Sequence, residues 1–158
     1  MFESGEVDVL IAPRAPSSFL KGSPNVNRLF PDYVSVEKEY YKKTGIFPIM
    51  HVVAIKDEIL QKDLWVAQNL YQAFVEAKQR VYEGFNQTAA LKVTLPWLLS
   101  EVENSKQLMG NDFWPYGVEK NRTTIEAAIN YSYEQGMISR RLEVEELFAK
   151  TTLEEFVI

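Results

Sequence analysis

The sequence is organised around residues 45–55, which read GIFPIMHVVAI. From Ile49 onward the stretch is a nearly unbroken apolar run, rich in β-branched side chains. A short run of this composition is typical of a strand that is buried on both faces. The chain has one histidine, His51, and it lies within this run. An imidazole in a buried strand needs a hydrogen-bonding partner or a functional role. We therefore predict a central strand, in which His51 is either a core residue bonded to backbone or a residue facing a cleft.

The composition limits the classes of protein to consider. A chain of 158 residues that is 46% hydrophobic and 25% charged suits one globular domain with a core of useful size. A net charge of -5 without a basic stripe argues against duplex nucleic acid as a partner. The absence of cysteine excludes disulfides, thiol catalysis and thiolate metal sites. Acidic residues near the N-terminus do not fit a signal peptide, and no apolar run is long enough to span a bilayer, so we expect a cytoplasmic protein.

The remaining elements are predicted mainly as helices. Residues 8–12 form a second strand signal, and the proline-rich segment 13–18 is expected to stay extended. Two strands cannot cover so much helix surface, so an α/β sheet would need strands from another copy or from upstream sequence. We therefore predict a homo-oligomer, most simply a dimer. The predicted helices are about 35–43, 56–60, 64–83, 96–109, 118–135 and 143–148. Ser35 is predicted to cap the first and Asp63 the third. The third has an apolar stripe at helical spacing: Val66, Leu70, Ala73/Phe74, Ala77 and Val81.

Four segments carry a resemblance to a known family. They are residues 6–17 (EVDVLIAPRAPS), 47–55 (FPIMHVVAI), 112–118 (DFWPYGV) and 131–136 (YSYEQG). In this order they resemble the 4,5-dihydroxyphthalate decarboxylase family, whose members are longer, so that this chain resembles only their C-terminal half. The resemblance implies a partial type 2 periplasmic-binding-protein-like fold of two lobes around a cleft. Residues 1–20 would then end the second lobe and form the crossover, and residues 45–158 would form the returning part of the first lobe.

The resemblance also implies a reaction, in which an aromatic dicarboxylate with adjacent hydroxyl groups loses one carboxylate as carbon dioxide. Protonating the ring carbon requires a positioned acid, a cation for the retained carboxylate and hydrogen bonds to the hydroxyl groups. The substrate's hydroxyl groups can supply the electrons, so we predict no cofactor. Two other functions stay open: a non-catalytic binding protein for a small organic anion, and an inactive piece of a longer protein.

Arg14 is the predicted anion-binding residue. It follows a predicted strand end and lies between two prolines, where open α/β sheets bind ligands, and its guanidinium matches a carboxylate. Ser17 and Ser18 are predicted to donate hydrogen bonds to the same carboxylate. The alternatives are a surface arginine and ordinary turn-forming serines.

The other candidates concern the ring of the substrate. His51 is predicted to donate the proton or to hydrogen-bond a hydroxyl group of the substrate, converging with Arg14 on one anion. Trp114 and Tyr116, in an aromatic loop, are predicted to stack on an aromatic ligand, with core packing as the alternative. We predict no metal site, because no recognised ligand spacing is present.

Overall fold

The regular structure of this chain is helical. The structure, a computed structural model, describes residues 3–153 and separates into two compact units, the first ending at Lys43 and the second beginning at Thr44. No strand occurs among the residues described, so the predicted α/β, periplasmic-binding-protein-like fold is wrong. The helices are α1 (Ser17–Leu20), α2 (Tyr33–Thr44), α3 (Asp57–Lys62), α4 (Trp65–Phe85), α5 (Leu98–Met109), α6 (Val118–Glu134) and two 3-10 helices, Val144–Glu146 and Lys150–Thr152.

Both predicted strands are irregular segments with exposed apolar side chains. Ile11 is 96% exposed, and Val52 is 71% exposed. A strand forms only where another extended backbone completes its hydrogen-bond ladder, and neither segment has such a neighbour within residues 3–153. Apolar and β-branched composition supplies the side chains of a strand but not its backbone partners. The central buried strand at 49–55 was therefore predicted from its side chains alone, without a partner backbone to complete its hydrogen bonds.

Helix α2 begins earlier than the sequence predicts. The Ser35 backbone N–H donates to Asp32 Oδ1 at 3.3 Å, so the residue that caps the first turn is Asp32 rather than Ser35. This hydrogen bonding with Ser35 lowers the pKa of Asp32 below its usual value. The predicted end of the helix is confirmed, because Gly45 follows it with a φ of +69° that favours glycine.

Helix α4 packs on a different face from the predicted one. In the predicted stripe, Leu70, Phe74 and Val81 are 38%, 45% and 54% exposed. The packed face is displaced by one residue, which rotates it by roughly 100° about the helix axis. Asp63 also does not cap the helix through its side chain. The packed residues are buried Ala67 and half-buried Tyr71, Val75, Lys78, Tyr82 and Phe85.

The core of the second unit forms on α6. Val118, Ile125 and Ile129 are buried together with Val144 of the following 3-10 helix. Their spacing along α6 is helical, as the sequence predicts. The partly buried side chains around them are Ile138, Leu142, Phe148 and Leu153.

A capping box fixes the start of the 3-10 helix that completes this core. The Glu143 backbone N–H donates to Glu146 Oε2 at 2.8 Å, and the guanidinium of Arg140 binds both Glu146 carboxylate oxygens, at 2.6 and 2.9 Å. Hydrogen bonding by Arg140 lowers the pKa of Glu146 to about 2. None of the helices in residues 3–153 combines the length and apolarity needed to cross a bilayer.

Candidate functional site

Arg14 lines an open concave surface of about 210 Å³ in the first unit, here called the Arg14 cavity. Arg14 lies in a bend between Pro13 and Pro16, and α1 begins three residues after it. Buried Val26 forms part of the wall. The lining residues are Leu10, Ala12, Arg14, Ala15, Pro16, Phe19, Val26, Asn27, Arg28 and Leu29.

The Arg14 cavity carries positive charge without a matching negative charge. Among the described residues, Arg14 has no carboxylate partner, and neither does Arg28. None of the lining residues is acidic. A guanidinium has five N–H donors arranged to bind a carboxylate through two parallel hydrogen bonds. The cavity can therefore hold a small anion.

Arg28 is a cavity residue that sequence reasoning did not identify. Its guanidinium carbon lies 5.2 Å from the centroid of the Phe19 ring and 4.7 Å from that of Tyr33. These cation–π contacts hold a long side chain that would otherwise be free in solvent. The only sequence signal was an arginine in a turn-rich loop between two aromatic residues, which is too common a pattern to single out.

The two predicted serines adjoin the cavity without lining it. Their backbone carbonyls close the turns of α1: Ser17 O accepts from Lys21 N at 3.0 Å, and Ser18 O accepts from Ser23 N at 3.0 Å. The prediction that residues 13–18 stay extended is therefore wrong at both ends, because Pro13 and Arg14 form a bend and Ser17 begins α1. Hydrogen bonding of a ligand by the two serine hydroxyls stays a prediction.

A second concave surface, here called the aromatic groove, lies in the second unit. It has a volume of about 330 Å³ between α4 and the loop at 112–117. The predicted residues Trp114 and Tyr116 are brought together here. The lining residues are Phe74, Ala77, Lys78, Val81, Tyr82, Phe85, Trp114 and Tyr116.

Polar side chains of α4 hold the backbone of the 112–117 loop. Lys78 Nζ donates to Asp112 Oδ1 at 2.6 Å and to the Trp114 carbonyl at 3.2 Å. The Tyr82 hydroxyl accepts from the Trp114 backbone N–H at 2.9 Å and donates to Asp112 Oδ1 at 3.3 Å. From α6, Asn121 Nδ2 donates to the Pro115 and Gly117 carbonyls at 3.0 and 2.8 Å. The loop is thus fixed from two helices.

Burial and charge shift two titratable groups of this network. Burial is the main reason that the pKa of Tyr82 is raised to about 12. Burial would also raise the pKa of Asp112, but the hydrogen bond and positive charge of Lys78, together with Lys120, outweigh it and lower that pKa. Asp112 is therefore a carboxylate at neutral pH and Tyr82 a neutral phenol.

The aromatic groove offers ring faces rather than a free charge. The Lys78 ammonium is already bound by Asp112 and lies 4.9 Å from the Tyr116 ring centroid. Trp114 packs edge-on against Phe47 with centroids 5.5 Å apart, and 43% of it remains exposed. Such a surface suits a flat apolar group.

His51 lies in the irregular stretch before α3 and is exposed. It lines neither the Arg14 cavity nor the aromatic groove. The core-histidine interpretation is therefore wrong, since it required a buried strand. His51 and Arg14 belong to different units, and their convergence on one anion stays a prediction, as does proton donation by His51.

Comparison with known proteins gives one informative similarity. The chain matches no family model. It is 36% identical over all of its 158 residues to 4,5-dihydroxyphthalate decarboxylase of Comamonas testosteroni, and the matched part is 48% of that protein. The chain therefore spans about half the length of this curated relative. The similarity confirms the family resemblance drawn from the four segments and is consistent with the C-terminal half of such a protein.

Proposed function

We propose that this chain is part of a decarboxylase that acts on an aromatic dicarboxylate of the 4,5-dihydroxyphthalate type, and that Arg14 binds a substrate carboxylate. The observation that carries the proposal is the Arg14 cavity, in which a guanidinium without an acidic partner faces a concave surface. The similarity to a named decarboxylase supports the reaction class.

The chemistry assigns Arg14 to the carboxylate that stays on the ring. Decarboxylation adds a proton to the ring carbon and breaks its bond to the departing carboxylate, whose electron pair returns to the ring as carbon dioxide leaves. A guanidinium on the departing group would stabilise its negative charge in the ground state and oppose the loss. On the retained group the same contact fixes the position of the substrate without that cost.

The roles of the remaining candidates follow from what each group can supply. His51 is the proposed proton donor because histidine is the side chain that most often transfers protons in catalysis. Trp114 and Tyr116 are proposed to bind a ring through their faces. Because the chain spans about half of its relative, we expect slow turnover or none by this chain alone. A cleft that excludes water needs walls on both sides.

A second candidate function is a non-catalytic binding protein for a small organic anion. One observation favours it: the residues that line the Arg14 cavity include arginines but no histidine, carboxylic acid or tyrosine that could protonate a ring. Binding would then use Arg14 without His51. We also propose that the chain self-associates as a dimer. Sedimentation showing only monomer at micromolar concentration would contradict this.

Two measurements separate these functions. Calorimetric titration with phthalate tests binding, and incubation with 4,5-dihydroxyphthalate, followed by product absorbance, tests turnover. We expect Arg14→Gln to abolish phthalate binding, while the control Arg80→Gln, on an exposed face of α4 and paired with Glu76, leaves it unchanged. Binding with turnover supports the decarboxylase, and binding without turnover supports the binding protein. If the wild-type chain does not bind phthalate, both are contradicted.

A further inference from the structure

We infer that the exposed apolar side of α4 packs against the same side of a second copy of this chain, with the two helices antiparallel. The residues concerned, here called the α4 stripe, are exposed on the helix: Leu70, Phe74, Ala77 and Val81. The inference rests on the self-association proposed above, to which it assigns a surface, a direction and a register.

The spacing of the α4 stripe is the first reason. Its residues follow one another at intervals of four, three and four along one continuous helix. This is the spacing of the seam between two helices that coil around each other, whose apolar side chains recur about every 3.5 residues. The side of α4 that packs within the second unit carries Tyr71, Val75 and Lys78. The helix therefore has a second apolar side, which faces solvent.

The alternation of large and small side chains is the second reason, because it fits a copy of itself. When two copies run antiparallel about a twofold axis between positions 75 and 76, Phe74 of each copy faces Ala77 of the other. In the same register Leu70 faces Val81. Every layer then combines a larger side chain with a smaller one, which allows close packing. A parallel pair would place Phe74 against Phe74 and Ala77 against Ala77, which crowds one layer and leaves a gap in the next.

The charges beside the α4 stripe permit this contact. Arg80 flanks the stripe and is paired with Glu76 of its own helix. In the antiparallel register it lies across from Ala73 of the other copy rather than from a second arginine. On the other flank, Lys78 is nearly buried and bound by Asp112. The two copies therefore bring no like charges directly opposite each other, and such charges would oppose association.

The apolar surface continues beyond the helix. Phe74, Ala77 and Val81 also form one wall of the aromatic groove, whose other wall carries Trp114. Trp114 is 43% exposed and packs against Phe47, which is 41% exposed. An interface of standard size buries roughly 800 Å² of each partner, so these rings extend a stripe that is short by itself. A second copy seated on the stripe would also give the groove a further wall against solvent.

The test exchanges the side chains that face each other. Sedimentation equilibrium measures the dissociation constant of the dimer for the wild-type chain, Phe74→Ala, Ala77→Phe and the double variant Phe74→Ala/Ala77→Phe. Each single variant should weaken the dimer at least about tenfold, because one leaves a gap and the other places two rings in each central layer. The double variant returns one ring and one methyl group to each of these layers, so its dissociation constant should lie within about threefold of the wild type. The control Gln79→Phe adds a ring on the opposite, exposed side of α4 and should leave the constant unchanged.

The outcomes separate this inference from the proposed function. If the wild type is only monomeric, the inference and the proposed self-association fail together, and this is also the result expected if another part of a longer protein covers the stripe. Phthalate binding at the Arg14 cavity is measured separately and does not depend on this result. A dimer that the single variants do not weaken, or that the double variant does not restore, overturns the inference alone.

Circular dichroism checks that each variant keeps its helices. Should a central variant lose them, the outer layer of the stripe decides. Leu70→Glu should weaken the dimer at least about tenfold, because it places a carboxylate against an apolar side chain. Leu70→Glu/Val81→Lys puts opposite charges across that layer and should restore the dimer. If either result fails, the inference is overturned.

Discussion

Replacing Lys78 with methionine tests whether the contact between α4 and the 112–117 loop stabilises the second unit. The Lys78 side chain is only 11% exposed, and Asp112, its partner at 2.6 Å, is 35% exposed. Methionine keeps most of the side-chain volume and removes the ammonium. The variant therefore leaves Asp112 without its closest cation and leaves the Trp114 carbonyl without the donor at 3.2 Å.

The expected loss is about 2 kcal/mol in the free energy of unfolding. Removing one partner of a fully buried ion pair costs about 3–5 kcal/mol. Here water reaches Asp112, and Lys120 Nζ remains 3.5 Å from its other oxygen, so the penalty is smaller. The expected loss of stability still exceeds the roughly 1 kcal/mol of an exposed ion pair, because Lys78 donates two hydrogen bonds from a nearly buried position.

Arg80→Met is the matched control on the same helix. Arg80 binds Glu76 at 2.5 Å, but the two side chains are 73% and 66% exposed, so we expect a loss of less than about 0.5 kcal/mol. Urea unfolding followed by circular dichroism at neutral pH measures both variants. The double variant Lys78→Met/Asp112→Asn removes the unpaired charge and should recover about 1 kcal/mol. Equal losses for Lys78→Met and Arg80→Met would refute the reasoning.

Two further predictions concern the second unit. Gly117→Ala should lower the free energy of unfolding by about 1–3 kcal/mol, because φ is +98° and a Cβ would lie 2.8 Å from the Tyr71 hydroxyl. The control Gly136→Ala, at φ +71° with open space around it, should lower it by about 1 kcal/mol. Equal losses for the two variants would contradict the clash at Gly117. Arg140 lowers the pKa of Glu146 from 4.5 to about 2. The Arg140–Glu146 contact therefore stabilises the folded state fully above pH 4.5, and this stabilisation is lost as the pH falls toward 2. In Glu146→Gln the acid-induced loss of stability should be shallower over this range, and an unchanged profile in acid titrations would count against the Arg140 contact.

The helices could be predicted from the sequence because their signals are local. The helices predicted at about 96–109 and 118–135 are observed at 98–109 and 118–134, and both end at the predicted glycine stops, Gly110 and Gly136, which have a positive φ. Strands at 8–12 and 49–55 could not be decided in this way, because a strand depends on a partner backbone elsewhere. The packed face of α4 was missed because apolar residues lie on two adjacent sides of that helix.

The candidate site was predicted in part. The Arg14 cavity follows from an arginine held among prolines, and Trp114 and Tyr116 do share a concave surface. Arg28 could not be predicted, because its position depends on two aromatic rings that only the folded chain brings to it. The placement of His51 was wrong for the same reason that the strand was wrong.

The way the 112–117 loop is held has a consequence for how this surface can change in evolution. Apart from those to the Asp112 carboxylate, the bonds that fix the loop end on main-chain atoms: the N–H and carbonyl of Trp114 and the carbonyls of Pro115 and Gly117. A substitution changes the side chain and leaves these main-chain atoms the same. Position 114 can therefore accept other rings or aliphatic groups while the loop keeps its path, provided that Lys78 and Tyr82 are retained. Selection can alter what the groove recognises separately from what keeps it folded.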